Sequence, residues 1–221
     1  MWIPERFEAD PDWVDEVLEF VGLAVLVTPT AAGLEITHLP WTYHPTVGSH
    51  GALYSHLAKL NPHWRAEPTG DSVVIVTGVD AYISPRWLPS TATNPRQVPT
   101  WDYEAIHLHG ELIVHHEPEW IRAQVDELSR TFEASMPDPW TPADAPAHYI
   151  EGMARAIVGL ELRIGRIEAK QKLSQNKSPE DVDGIVAALQ AYGDLDAAGA
   201  IRRANAGKQW PPLRASAAHE N

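Results

Sequence analysis

Ile157-Val158-Gly159-Leu160-Glu161-Leu162-Arg163-Ile164-Gly165-Arg166-Ile167-Glu168-Ala169 reads as one long strand, interrupted at Gly159 and Gly165. It runs into Lys170-Gln171-Lys172-Leu173-Ser174-Gln175-Asn176, which packs two ammonium groups, a hydroxyl and three side-chain amides into seven residues. A plain solvated strand end is the simpler account of such a segment, but it has no need for that many directional groups. A polar, planar, phosphorylated ligand does need them. Cations serve the phosphate, and amides serve ring carbonyls and ring N–H groups.

Upstream of this run, further strands are separated by inserted helices. Asp10-Pro11-Asp12 opens a helix, with an N-cap and a proline in the first turn, and Gly22 stops it. Leu23–Thr28 is a continuous apolar run, expected to be a strand buried on both faces. Strands are also expected at 34–39, 52–55, 72–78, 81–84 and 105–115, with a short helix at 62–67. Residues 85–101 form a proline-rich loop of the length that usually carries function. Gly110, inside the 105–115 strand, marks a bulge or a close backbone approach.

Residues 118–134 form an amphipathic helix on Trp120, Ile121, Val125, Leu128 and Phe132. A shorter helix, 145–156, is capped by Asp144. Two more follow at 179–192, capped by Ser178, and 194–205. The expected class is α+β, mainly antiparallel β, as a closed or split barrel with inserted and C-terminal helices. The domain reading is 1–176 for the barrel, 177–205 for a helical extension and 206–221 for a disordered tail.

Composition removes several function classes. The chain has 221 residues, no cysteine and a formal net charge of −13. Disulfides and thiolate metal sites are excluded, and a cytoplasmic setting is the simplest expectation. No run of about 18 apolar residues suggests a membrane span, and the first residues do not read as a signal peptide. A strongly acidic chain repels the phosphate backbone, so direct nucleic-acid binding is not expected. Arg163 and Arg166 with Lys170 and Lys172, and separately Arg202-Arg203, are the nearest approaches to a basic patch; both are short, and the first competes with the ligand-site reading. There is no Gly-x-Gly-x-x-Gly or Walker loop, no Gly-x-Ser-x-Gly element and no His-Glu-x-x-His helix. His107 and His109 share a strand face and offer two metal ligands, but no third ligand is signalled, so no metal is expected.

Two more segments share the polar-aromatic character of 170–176. One is Tyr54-Ser55-His56-Leu57-Ala58-Lys59-Leu60-Asn61-Pro62-His63-Trp64. The other runs from Tyr82-Ile83-Ser84-Pro85-Arg86-Trp87 to Val98-Pro99-Thr100-Trp101-Asp102-Tyr103. In this order, with Met1-Trp2-Ile3-Pro4-Glu5-Arg6-Phe7 at the start and His38-Leu39-Pro40, they resemble the PaiB family of FMN-binding transcriptional regulators over roughly residues 1–190. The resemblance implies an FMN-binding split β-barrel, related in fold to the pyridoxamine-phosphate oxidases.

Each segment then has a candidate role beside a bland one. Ser55 to Trp64 leaves a strand and enters a short helix, with Ser55, His56 and Lys59, followed by Asn61, in an arrangement that suits an anion. The resemblance makes Lys59 the flavin-phosphate residue; a solvated lysine at a helix start is the alternative. Tyr82, Trp87, Trp101 and Tyr103 are candidate walls for an isoalloxazine ring, with Ser84 and Thr100 as donors, or else ordinary core and interface residues. Lys172, with Ser174, Gln175 and Asn176, is assigned to the pyrimidine edge, where a cation stabilises the reduced, anionic ring. Arg86 and Leu88 stand where the family usually has a serine and a tyrosine, and Asp102 where it has an asparagine. These departures touch the substrate side of the pocket.

The expected function is therefore an FMN-binding protein with a regulatory role, a homodimer with flavin at the subunit interface that acts through a ligand or a protein partner. The competing classes are a flavin-dependent oxidoreductase and a haem-binding or haem-degrading split barrel. One fold hosts all three, so the fold does not choose between them.

Overall fold

In the computed structural model, residues 1–207 are described; the expected disorder of 206–221 falls almost wholly outside them. Six strands close into a barrel: β1 (Gly22–Thr30), β2 (Gly33–His44), β3 (Ala52–Ala58), β4 (Ser72–Ile83), β5 (Thr100–His115) and β6 (Ile157–Lys172). Their order around the barrel is β1-β2-β3-β6-β5-β4, and the β1–β2, β1–β4, β2–β3 and β3–β6 pairs are antiparallel. The helices are α1 (Pro11–Glu19), α2 (Pro118–Glu133), α3 (Ala147–Arg155), α4 (Pro179–Ala191) and α5 (Leu195–Ala204).

The chain divides into two compact units. The first, Met1–Ile3 with Ala9–Thr77 and Ala105–Lys170, holds a core built on Leu26, Trp41, Leu53, Ile106, Leu108, Leu160 and Leu162. Asp10 caps α1 by accepting from the Asp12 amide, and Leu18 is the residue α1 buries. The second unit, Pro4–Glu8, Gly78–Glu104 and the chain from Gln171, has its own core, in which Ile83, Leu88 and Leu173 pack with Ile185, Leu189 and Ile201 of α4 and α5. Ser178 caps α4 through the Asp181 amide, as expected, and Pro179 fills the first turn.

Several expectations are corrected. Leu23–Thr28 is not buried on both faces: burial alternates along β1, and Leu23 is 70% exposed. A strand of period two shows one face to the barrel interior, and an apolar composition does not reveal that the other face is open. The two short strands expected at 72–78 and 81–84 are one strand, β4. β2 continues to His44, and β6 runs unbroken through Gly159 and Gly165. Asp144 does not cap α3, whose N-cap is Pro146; it closes a capping box with Thr141 in the short turn before it. Gly110 marks a close approach, since a Cβ there would lie 1.8 Å from the Arg163 carbonyl oxygen.

Candidate functional site

In the first unit, β3 leads to Lys59 and Asn61. Ser55 is fully buried and donates its hydroxyl to the Pro40 carbonyl at 2.7 Å, so it ties β3 to β2. His56 Nδ1 lies 2.8 Å from Gln124 Oε1 of α2, which makes Nδ1 the donor. Burial lowers the His56 pKa and keeps the ring neutral, although the Gln124 contact opposes this. The Gln124 side-chain amide nitrogen is buried without a partner among the described groups. Asn61 caps the 62–65 turn through the His63 amide and donates to Thr37 Oγ1 at 3.3 Å. A buried polar chain follows, in which His63 bridges Thr37 and Thr28 at 2.8 Å each, and Thr28 meets Ser72 at 2.8 Å. Burial lowers the His63 pKa as well. Every member of this chain has a partner, as burial demands.

Lys59 is exposed, and its position is set by two contacts with the end of α3. Its amide donates to the Ala156 carbonyl at 2.8 Å and its ammonium to the Arg155 carbonyl at 2.6 Å. Together they make one wall of a cavity of about 200 Å³ lined by Lys59, His116, Pro118, Ile121, Arg122, Glu151, Ala154 and Arg155. Three permanent cations face one carboxylate, Glu151, which itself lies 3.8 Å from Arg155. Such a donor set suits a phosphate dianion. The cavity is smaller than the roughly 300–1,000 Å³ of a complete ligand pocket, so it fits the phosphate end of FMN and not the ring. Of the three cations lining this cavity, the sequence reading singled out Lys59 but not Arg122 or Arg155. No local signal links Lys59 to an arginine 96 positions away.

Beside it lies an apolar cavity of about 320 Å³ between α2 and α3, lined by Val125, Trp140, Tyr149, Ile150, Met153 and Ile157, with Arg122 and Asp126 as its charged members. Another cavity, about 530 Å³, is at the C-terminal end of α2 around Arg130, Glu133 and Trp140. It contains none of the residues singled out from the sequence. Its size alone does not make it the chemically relevant one.

The second unit holds the other candidates. Tyr82 packs edge-on against Trp87 and Trp101, at centroid distances of 6.4 and 6.1 Å. Tyr82 and Trp101 are 45% and 56% exposed, so both rings present surface. Ser84 is committed locally, accepting from the Arg86 amide as the cap of a short turn. The Lys172 ammonium donates to Thr100 Oγ1 at 2.8 Å, to the Trp101 carbonyl and to Asp102 Oδ1 at 3.2 Å. Ser174 adopts φ 59°, in the left-handed region, and donates to Asp102 Oδ2 at 2.5 Å. Burial raises the Asp102 pKa, while Ser174 and Lys172 pull it back. Gln175 folds inward, accepting from the Leu173 amide and donating to the Gln171 carbonyl, whereas Asn176 is exposed. Thr100, Asp102, Lys172 and Ser174 are thus one network. Gln175 shapes the turn that presents Ser174.

The histidines of β5 acquire a third neighbour. Glu168 of β6 brings its Oε2 to 3.0 Å from His109 Nε2 and 3.8 Å from His107 Nδ1.

A six-stranded antiparallel barrel with these helices is the fold of a flavin-binding split barrel. Residues 1–166 match the family described as "Putative FMN-binding domain", and the chain belongs to that family, with FMN as its cofactor. Among curated relatives, the chain is similar to the Bacillus subtilis protease synthase and sporulation protein PAI 2. The two are 28% identical over 194 residues, which is 86% of this chain and 89% of that protein. It is also similar to the uncharacterized protein AN0679 of Emericella nidulans, at 29% identity over 66% of this chain and 68% of that one. Among solved structures, the flavocytochrome Anf3 from Azotobacter vinelandii aligns with TM-score 0.54 and 15% identity, over 79% of this chain and 73% of that one. The FAD and heme binding protein from Mycobacterium smegmatis aligns with TM-score 0.51 and 20% identity, over 83% and 80%. At these identities the structural likenesses speak for the fold.

Proposed function

We propose that this chain is a PaiB-type flavin-dependent regulator that acts as a homodimer in the cytoplasm, with FMN at the subunit interface. The observation that carries the reading is the outer face of the barrel in the first unit. Leu23, Val25 and Val27 of β1, Leu34 and Ile36 of β2, and Val73 and Ile75 of β4 all point away from the interior on paired strands. Leu23, Leu34 and Ile36 are 70%, 64% and 57% exposed. A contiguous apolar sheet face of this kind marks an interaction surface. A second copy would bury it and restore the both-faces burial that the Leu23–Thr28 composition suggests.

FMN brings a flat redox ring that accepts and returns electrons. Lys59, Arg122 and Arg155 are the residues suited to hold its phosphate, with Lys59 aimed by the Arg155 carbonyl. Lys172 is suited to the pyrimidine edge, where it supplies a positive charge already tempered by Asp102. Tyr82 and Trp101 offer exposed aromatic faces for the ring. The name of the Bacillus subtilis relative, tied to protease synthesis and sporulation, supports a regulatory role. The net charge of −13 favours action through a small molecule or a protein partner over direct DNA binding.

The apolar cavity between α2 and α3 favours one second reading, a flavin-dependent oxidoreductase acting on a small apolar molecule. An absorption spectrum of the purified protein, joined to size-exclusion chromatography with light scattering, tests the proposal. Two flavin bands on a dimer are expected. A Soret band, or a monomer that keeps its flavin, refutes it, and steady turnover of NAD(P)H would select the enzymatic reading.

A further inference from the structure

We propose that His107, His109 and Glu168 form a binding site for one divalent transition-metal ion of the zinc type. Two imidazoles and one carboxylate are a ligand set suited to such ions, and not to the hard, oxygen-seeking Mg²⁺ or Ca²⁺. Period two along β5 puts His107 and His109 on one face, and neighbouring β6 brings Glu168 to them. One ligand atom from each residue lies within 4.8 Å of the others, and among the described residues this is the group of three that meets that test.

The distances can be compared with what a metal requires. Bonds of about 2.0–2.1 Å in a tetrahedron put ligand atoms roughly 3.4 Å apart. The two contacts of Glu168 Oε2, 3.0 Å to His109 and 3.8 Å to His107, bracket that value. The rings sit 6.2 Å apart between centroids and are tilted by 61°, so they can converge on one point. The side chains are 26%, 15% and 21% exposed, buried enough to be held and open enough for an ion to enter. Three protein ligands leave a fourth position for water, the arrangement of an open site and not of a closed structural one.

Two cations already attend Glu168. The Met1 ammonium contacts Oε2 at 2.5 Å and Arg166 contacts Oε1 at 2.5 Å. An ion bound at Oε2 displaces the ammonium and leaves the Arg166 contact as an outer support that orients the carboxylate. The site involves none of the residues assigned to flavin, so it stands or falls apart from that reading.

The test is titration of the untagged, chelator-treated full chain with Zn²⁺ against a chromophoric competitor, repeated with Co²⁺ for its visible absorption. One saturable equivalent is expected, with Co²⁺ bands of a four- or five-coordinate site. His109→Ala and Glu168→Gln should each weaken binding about tenfold or more. His115→Ala, a histidine outside the cluster, should leave it unchanged. Circular dichroism melts confirm that the variants are folded. No saturable binding by the folded wild type overturns the proposal, as does undiminished binding by His107→Ala and His109→Ala, or loss on His115→Ala.

Discussion

Replacing Lys59 with alanine tests the phosphate assignment, because FMN and riboflavin differ only in the group that Lys59 is proposed to hold. The side chain is exposed and its ammonium donates to the Arg155 carbonyl, so its removal should leave the fold intact. A hydrogen bond to a charged group contributes about 1.5–3 kcal/mol. Arg122 and Arg155 line the same cavity and retain their charge in the variant, and the cavity is open to solvent. The lower half of that range applies, about 1.5–2 kcal/mol, or roughly ten- to thirtyfold in Kd. Riboflavin affinity should change by less than about twofold, since an exposed cation far from the ring is screened by solvent.

The assay is quenching of flavin fluorescence as the deflavinated protein is titrated, at low and at raised salt. Added salt should weaken FMN more than riboflavin in the wild type, and that distinction should narrow in the variant, where Arg122 and Arg155 keep their charge. Glu151→Gln removes the single carboxylate lining the cavity and should tighten FMN modestly, by up to about fivefold for an exposed pair. Equal losses for FMN and riboflavin in Lys59→Ala, or no loss for either, would refute the assignment and move the phosphate elsewhere.

Ile36→Asp places a charge in the middle of the outward apolar face and should convert the dimer to a monomer, read by light scattering, without lowering the monomer's own melting temperature. Gly110→Ala drives a Cβ to 1.8 Å from the Arg163 carbonyl oxygen. Because backbone must yield, the cost should be about 3 kcal/mol, a fall in Tm of roughly 6–12 °C by calorimetry; an unchanged Tm would contradict the strand contact. Asp102 is buried and its carboxyl titrates above its ordinary value of 3.8. The native state therefore binds that proton more tightly than the unfolded chain, so wild-type stability is full below that ordinary value and declines as pH rises through the native one. Asp102→Asn should escape this decline. Its advantage in Tm over wild type should grow between about pH 4 and neutrality, and a constant difference across that range would count against the burial argument.

Local chemistry made much of this molecule readable. Asp10 and Ser178 announce helix starts because capping depends on residues within one turn, and both cap as that logic requires, whereas Asp144 closes the turn before α3 instead of capping it. Gly110 reads as a bulge or a close approach, because a glycine inside a strand often marks one of the two, and the structure shows the close approach. The order of polar-aromatic segments resembled an FMN-binding family, and the family match over residues 1–166 agrees. Where a strand ends was harder to read. β4 and β6 pass through Gly78, Gly159 and Gly165 because partner strands supply the hydrogen bonds that weak local propensity does not.

The sequence by itself determined the residue types available: cations, amides and histidines at known strand phases, and no thiol anywhere. It could place His107 and His109 on one face, since period two is a property of a single strand. Only tertiary structure decided that β6 lies beside β5 and sets Glu168 against both rings, and that α3 ends where Lys59 meets Arg155. The reason is that side-chain direction follows from backbone geometry within an element. Which elements become neighbours follows from closing the whole barrel, and that is settled by non-local packing which no short window of sequence contains.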